Sequence, residues 1–347
     1  MELTPEPYNH DGTELDILEQ YGSFEAFWNA QRAGLHQHPT NNQPDVETEN
    51  TDVADRWNQD RPQPLAWDVY EHWLVQEWRR LLDSEPSELE VQRFLEQHPS
   101  LLPGASNDVG RGHHGPCWDA VITQPSLKGA SADRVPDFMW VRSDTSTVYA
   151  LCIEIEAPTK PWFTLDGQSS AHLTQALDQI LEWKVWFSLP ENMLAFRHAY
   201  IPVDLGYQRI EVQFILVYGR DREFRQDESR HRDPLYLRRK RDLIPRSSEY
   251  LYTFDQLRPE RDAADAVTIS GRRDSFNAVA VPPTFTTGRG TKQLASQIPD
   301  ISSALTKTPL IPEERKVYLA GRWDYWRRSA APRPSLRFNN AREHSGE

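Results

Sequence analysis

Apolar positions along this chain recur at two different periods, and the change between them organises it. In "TELDILEQYGSFEAFWNAQRAG" (residues 13–34) they fall at three- and four-residue steps, the signature of a helix face, with Gly34 as its stop. Residues 36–55 are polar and aperiodic and read as a linker. "PLAWDVYEHWLVQEWRRLL" returns to helical spacing, with Trp67, Tyr70, Trp73, Leu74, Trp78 and Leu81 in phase. Core packing is the reason for those aromatics. A second helix starts in "SEPSELEVQRFLEQHPSLL", with Ser87 or Ser84 able to cap it and Pro99 ending it.

The period then shortens. "CWDAVITQ", "RVPDFMWVR" and "TVYALCIEIEAP" read as strands, and the last two are joined by the hairpin "RSDTST". Residues 169–189 are helical again, with Leu173, Ala176, Leu177, Ile180, Leu181, Lys184 and Val185 in phase. "RIEVQFILVYGR" is a further strand, apolar enough to be buried on both faces. The order helix, three strands, helix, strand predicts an α/β core with a mixed sheet flanked by helices. Beyond Gly271 the pattern weakens: "VAVPPTFTTGRG" offers one late strand, and the stretch from Pro299 is punctuated by prolines. The expected organisation is an acidic segment over 1–60, a helical lead-in over 61–103, a core over 104–260 and a C-terminal extension over 261–347.

Composition changes this picture in two places. The net charge of −13 argues against a polyanion partner until its distribution is read. Residues 1–60 hold thirteen acidic side chains against Arg32 and Arg56, so the rest of the chain is close to neutral. "GRDREFRQDESRHRDPLYLRRKRDLIPR" (219–246) holds ten Arg/Lys against six Asp/Glu, a run that most often is a solvated face. Only Cys117 and Cys152 are present, too few for a disulfide framework. With no leader-like start and no apolar run of membrane length, the expected location is the reducing cytoplasm, with no membrane partner.

The chemistry concentrates between Arg134 and Lys160. Glu154 and Glu156 are two apart, so they share one face of an extended strand. Side by side they repel unless a cation stands between them, whether from a salt bridge or a metal ion. Asp137 lies seventeen residues before Glu154, a spacing that fits two hairpin-joined strands and lets all three carboxylates converge. Clustered carboxylates that hold Mg²⁺ and a group that activates water are what phosphodiester cleavage requires. An equally simple account makes the two glutamates edge-strand carboxylates paired to arginines.

From "SELEVQRFLEQHPSLL" through "RVPDFMW", "CIEIEAPTKPWF" and "HLTQALDQILEWKVWF" to "FILVYGR" and "YLYTFDQL", the order of motifs resembles the PD-(D/E)XK nuclease superfamily. It is most similar to the Shedu antiphage-defence nucleases, over roughly residues 84–258. The resemblance implies a restriction-endonuclease-like core in which Asp137 and Glu154 bind metal and Glu88 completes the shell from the preceding helix. Gln175 or Gln179 matches the glutamine of the helix after the active-site strand. The departure is at the third position, where Glu156 stands in place of the family's lysine. Some restriction endonucleases resemble this sequence in using Glu-x-Glu there. A second carboxylate can accept a proton from water or bind a second metal, but it gives no positive charge to the phosphate. Lys160 or, with the better geometric logic, Lys184 would supply that charge.

The resemblance therefore implies a Mg²⁺-dependent DNA endonuclease (Mn²⁺ as substitute) acting in defence against phage, assembled as a homo-oligomer such as a tetramer. The alternative is a nuclease-fold module that binds DNA or assembles without cleaving. The acidic residues 1–60 fit a restraining role over a DNA groove. "GRGHHG" lacks the spacing of a zinc site, since its two histidines are adjacent. "RWDYWRR" interleaves aromatics and arginines as single-strand binders do, yet burial of its tryptophans at a subunit interface is the preferred expectation.

Overall fold

A seven-stranded mixed sheet is the frame on which the acidic residues are set. The computed structural model describes residues 61–330 except 107–108, 111–114 and 130–131, all within one compact unit. The helix and linker expected before residue 60, the adjacent histidines and the end of the chain lie outside the described residues. Helices α1 (Trp67–Asp83) and α2 (Glu88–Gln97) open the fold. Ser87 caps α2 in a capping box: its hydroxyl accepts from the Glu90 N–H, and the Glu90 carboxylate accepts from the Ser87 N–H.

Strands β1 (Pro116–Thr123), β2 (Phe138–Ser143) and β3 (Thr147–Ile155) form an antiparallel meander. The chain then crosses through α3 (Ala171–Ser188) and α4 (Pro190–Tyr200) to β4 (Arg209–Val217), which runs parallel to β3. Helix α5 (Pro234–Asp242) leads to β5 (Glu249–Tyr252), parallel to β4.

The sheet does not end with β5. Strand β6 (Val267–Ser270) pairs parallel to β1 on the other side, and β7 (Asn277–Ala280) pairs antiparallel to β6. The order is β5-β4-β3-β2-β1-β6-β7, so residues beyond 260 supply two strands of the sheet itself. Three helices follow, α6 (Arg289–Ala295), α7 (Ser302–Thr306) and α8 (Glu313–Ala330).

Every residue of β3 is buried, which is why its sequence reads as one apolar run. Val148, Ala150 and Cys152 join the cluster that holds Trp183 and Phe187 of α3. On the opposite face, Leu151 meets the loop at Gly104, whose φ of +96° and close approach to the Leu151 side chain leave no room for a Cβ.

The C-terminal helix corrects an expectation. Trp323 and Trp326 lie in this chain's own core, not at an interface between subunits. The Trp323 indole N–H donates to the Ile298 carbonyl at 2.9 Å, and buried Arg315 donates to the carbonyls of Pro62 and Phe285. Cys117 and Cys152 are both free thiols. Among the described residues no helix is long and apolar enough to cross a membrane.

Candidate functional site

The acidic residues meet at the carboxyl ends of the central parallel strands, the edge where open α/β sheets place their ligands. Antiparallel register opposes Phe138 to Ile153, which brings Asp137, at the entry of β2, beside the last turns of β3. Its Oδ2 accepts the Ile155 N–H at 2.9 Å and so closes the end of the hairpin. Glu154 is the penultimate residue of β3, opposite Leu216 of β4, and only 7 % exposed. The carboxyls of Asp137 and Glu154 lie close enough to bias each other's ionisation. Glu154 Oε2 is buried and has no hydrogen-bond partner among the described residues.

Two acids held this way resist ionisation. Burial, then the charges of Asp137 and Glu156, pushes the Glu154 carboxyl up to about 10. Burial, partly offset by the Ile155 N–H, raises Asp137 to about 7, with Glu88 and Glu156 adding to the shift. In the metal-free protein the pair therefore keeps at least one proton at neutral pH.

Glu156 lies one step beyond β3, with its N–H donating to the Val217 carbonyl at 3.1 Å. The chain then turns sharply: the Lys160 N–H donates to the Ala157 carbonyl at 3.0 Å. This turn sends the Lys160 ammonium back onto the Glu156 carboxylate, with Glu88 from the start of α2 at 3.5 Å. Partial burial opposes the charge on Lys160, but Glu156 and Glu88 outweigh it and hold its pKa above the ordinary lysine value. Glu88 is raised, by partial burial and then by the charge of Glu156.

The structure thus brings together Asp137, Glu154, Glu156 and Glu88, and Lys160 is the cation among them. Lys184 is elsewhere, contrary to the expectation that it would face the site. Its ammonium pairs with the buried Glu249 carboxylate at 2.7 Å and donates to the Ser247 carbonyl at 3.1 Å. Gln175 is exposed on α3 and Gln179 is half-buried there; neither hydrogen-bonds to the acids. Lys160, not Lys184, is the lysine that reaches the acids. The signal for it was the proline turn "EAPTK", which reverses the chain within four residues.

Gly219, just past β4, permits this arrangement. Its φ is +54°, and a Cβ there would fall 2.6 Å from the Trp162 indole nitrogen and 3.0 Å from the Lys160 carbonyl oxygen.

All donors in the cluster are hard carboxylate oxygens, suited to Mg²⁺ or Mn²⁺ rather than to softer metals. The orphaned Glu154 oxygen and the protonated pair fit a cation-binding role. Yet among the described residues no three His, Cys, Asp or Glu side chains stand in metal-holding geometry, with Lys160 drawn onto Glu156 and Glu88.

A family model described as Shedu protein SduA, C-terminal, matches residues 85–257, just under half the chain and the part that carries every residue of this cluster. The match supports membership of the Shedu family. No curated protein and no solved structure matches the chain.

Proposed function

Taking residues 85–257 as a Shedu C-terminal domain, we propose that the protein is an antiphage-defence endonuclease with a PD-(D/E)XK-like core. It would cleave DNA phosphodiesters with Mg²⁺ or Mn²⁺. The observation that carries this reading is buried Glu154, one of its oxygens unpartnered, set beside half-buried Asp137. Uncompensated acids at the carboxyl edge of a sheet cost stability, and perturbed acids gathered in one place are a mark of functional sites.

In this reading Asp137 and Glu154 hold the metal, with Glu156 beside them. A bound divalent ion supplies Lewis-acid polarisation of a phosphate and an acidified water. Glu156, one step beyond the acid pair, would be the carboxylate that accepts a proton there. Lys160 stays charged at neutral pH, because its pKa is held up. It therefore offers positive charge to a phosphate rather than acting as a base. It fills the role of the lysine that Glu156 displaced, delivered from a turn instead of from the strand. Glu88 fixes the ammonium from the other side.

The test is cleavage of supercoiled plasmid and of linear duplex with Mg²⁺ and Mn²⁺. Metal-dependent nicking is expected in the wild type and in Lys184→Ala per folded molecule. It is expected to be lost in Asp137→Ala, Glu154→Ala and Lys160→Ala. Nicking that survives Asp137→Ala or Glu154→Ala would overturn the assignment. The closure of Lys160 onto Glu156 and Glu88 favours a second reading, a DNA-binding module that does not cleave. Cleavage gained only by Glu156→Lys would select it.

A further inference from the structure

Beside the acid cluster, the charged run after β4 folds into a wall rather than a dispersed surface. A cavity of about 360 Å³ opens between the turn that carries Lys160 and the segment from Arg220 to Arg230. The wall is held in place from both ends. Arg220 forms a two-pronged pair with Asp255, at 2.8–3.0 Å, and also donates to the Leu82 carbonyl at 2.7 Å. Glu223 accepts the N–H groups of Trp162 and Phe163, both at 2.8 Å, and meets the buried His231 Nε2 at 3.0 Å. The Glu223 carboxylate thus ties the arginine segment to the loop that begins at Lys160.

The acidic side chains on this cavity already have donors: Glu223 has those three, and Glu228 pairs with Arg225 at 2.8 Å. Of the basic ones, Arg220 and Lys160 are held by the pairs already described, and Arg222 and Arg230 are available. Arg230 is exposed and has no ion pair among the described residues. Among the described residues Arg222 pairs with exposed Glu85 at 3.0 Å, a solvent-screened surface pair readily exchanged for a stronger anion. Guanidinium groups present parallel N–H donors that match phosphate oxygens.

We propose that this cavity is a phosphate-binding groove that seats the DNA backbone beside the acid cluster. Arg222 and Arg230 contact phosphates there, and Lys160 joins the groove to the acids. The proposal rests on reading that cluster as a nuclease centre, and it names the residues that would present the substrate to it.

The test is fluorescence anisotropy of the full chain with a labelled DNA duplex of about 30 base pairs in EDTA, across a salt series. The double variant Arg222→Ala/Arg230→Ala is expected to bind about tenfold or more weakly at low salt. Its log–log salt slope should fall by about 1–2, since each lost phosphate contact removes roughly 0.9. Arg238→Ala/Arg239→Ala removes two exposed arginines of the same run that do not line the cavity, and should change affinity less than about threefold. Three results overturn the groove: a double variant that binds as the wild type does, equal weakening by the Arg238/Arg239 pair, or no binding by the wild type. Wild-type binding that depends on Arg222 and Arg230 but brings no metal-dependent cleavage would discard the nuclease reading and keep the groove. Cleavage with binding unmoved in the double variant would discard the groove alone.

Discussion

Replacing Glu154 by Gln should make the metal-free protein more stable, and increasingly so as pH rises. An unfolded glutamate titrates near 4.3, roughly, and an aspartate near 3.9. In the fold Glu154 is pushed up to about 10 and Asp137 to about 7, chiefly by burial. Folding therefore takes up protons above pH ~4. The stability that goes with the protonated pair is fully present below that pH and is lost as pH rises through 7 and on toward 10. Each proton taken up contributes a slope of about 1.4 kcal/mol per pH unit, from both groups up to pH ~7 and from Glu154 alone beyond it. Asp137 titrates in both proteins, so Glu154 alone sets the difference between them: on the order of 4 kcal/mol between pH 5.5 and 8.5, of which relaxation and water entry leave about a third, roughly 1.4 kcal/mol. Glutamine reproduces the shape of the neutral acid and cannot ionise. The variant should be closest to the wild type at pH 5.5 and gain a further ~2–6 °C over it by pH 8.5. The assay is thermal melting in EDTA at pH 5.5, 7 and 8.5, read as the difference between the two proteins so that other titrating groups cancel. Parallel curves would refute the protonated-pair argument.

Other consequences are checked by similar means. Lys184→Ala leaves the buried Glu249 carboxylate without its cation and should lower stability by about 1–3 kcal/mol in denaturant melts, with DNA affinity unchanged. Gly219→Ala meets both a positive φ and the Trp162 ring, so a loss of about 1–3 kcal/mol is expected, together with weakened metal binding as the Lys160 turn shifts. Trp323→Ala should cost about 3–5 kcal/mol, because that ring is in the core; a loss under about 1 kcal/mol in urea melts would contradict the packing of α8. Burial depresses His98 to about 3. Its contribution is present above pH ~6.5 and is lost as pH falls from there toward 3, so His98→Gln should flatten the acid side of the melting profile.

Local chemistry was legible in the sequence; long-range pairing was not. The Ser87 cap, the aromatic stripe of α1 and the unbroken apolar run of β3 each follow from neighbours within a few residues. The convergence of Asp137 with Glu154 was legible for the same reason, since one hairpin fixes their register. Strand β6 is four residues long and pairs with β1 from far along the chain, so no period could announce it. Helix α8 hid behind prolines, and its buried stripe includes a charged residue, Arg315, whose terminal guanidinium nitrogens donate to the carbonyls of Pro62 and Phe285. Lys184 was in phase with its helix, but phase alone does not say which end of the sheet a side chain reaches. The buried Glu249 settled that.

The most direct test of a cation-binding acid pair is calorimetric titration of the full chain with Mn²⁺ at neutral pH, repeated in buffers of different ionisation enthalpy. One site per chain is expected, with about one proton released as the metal replaces it at Asp137 and Glu154. That site should be absent in Glu154→Gln and in Asp137→Asn. Binding that persists unchanged in both variants, or no binding by the wild type, would contradict the account.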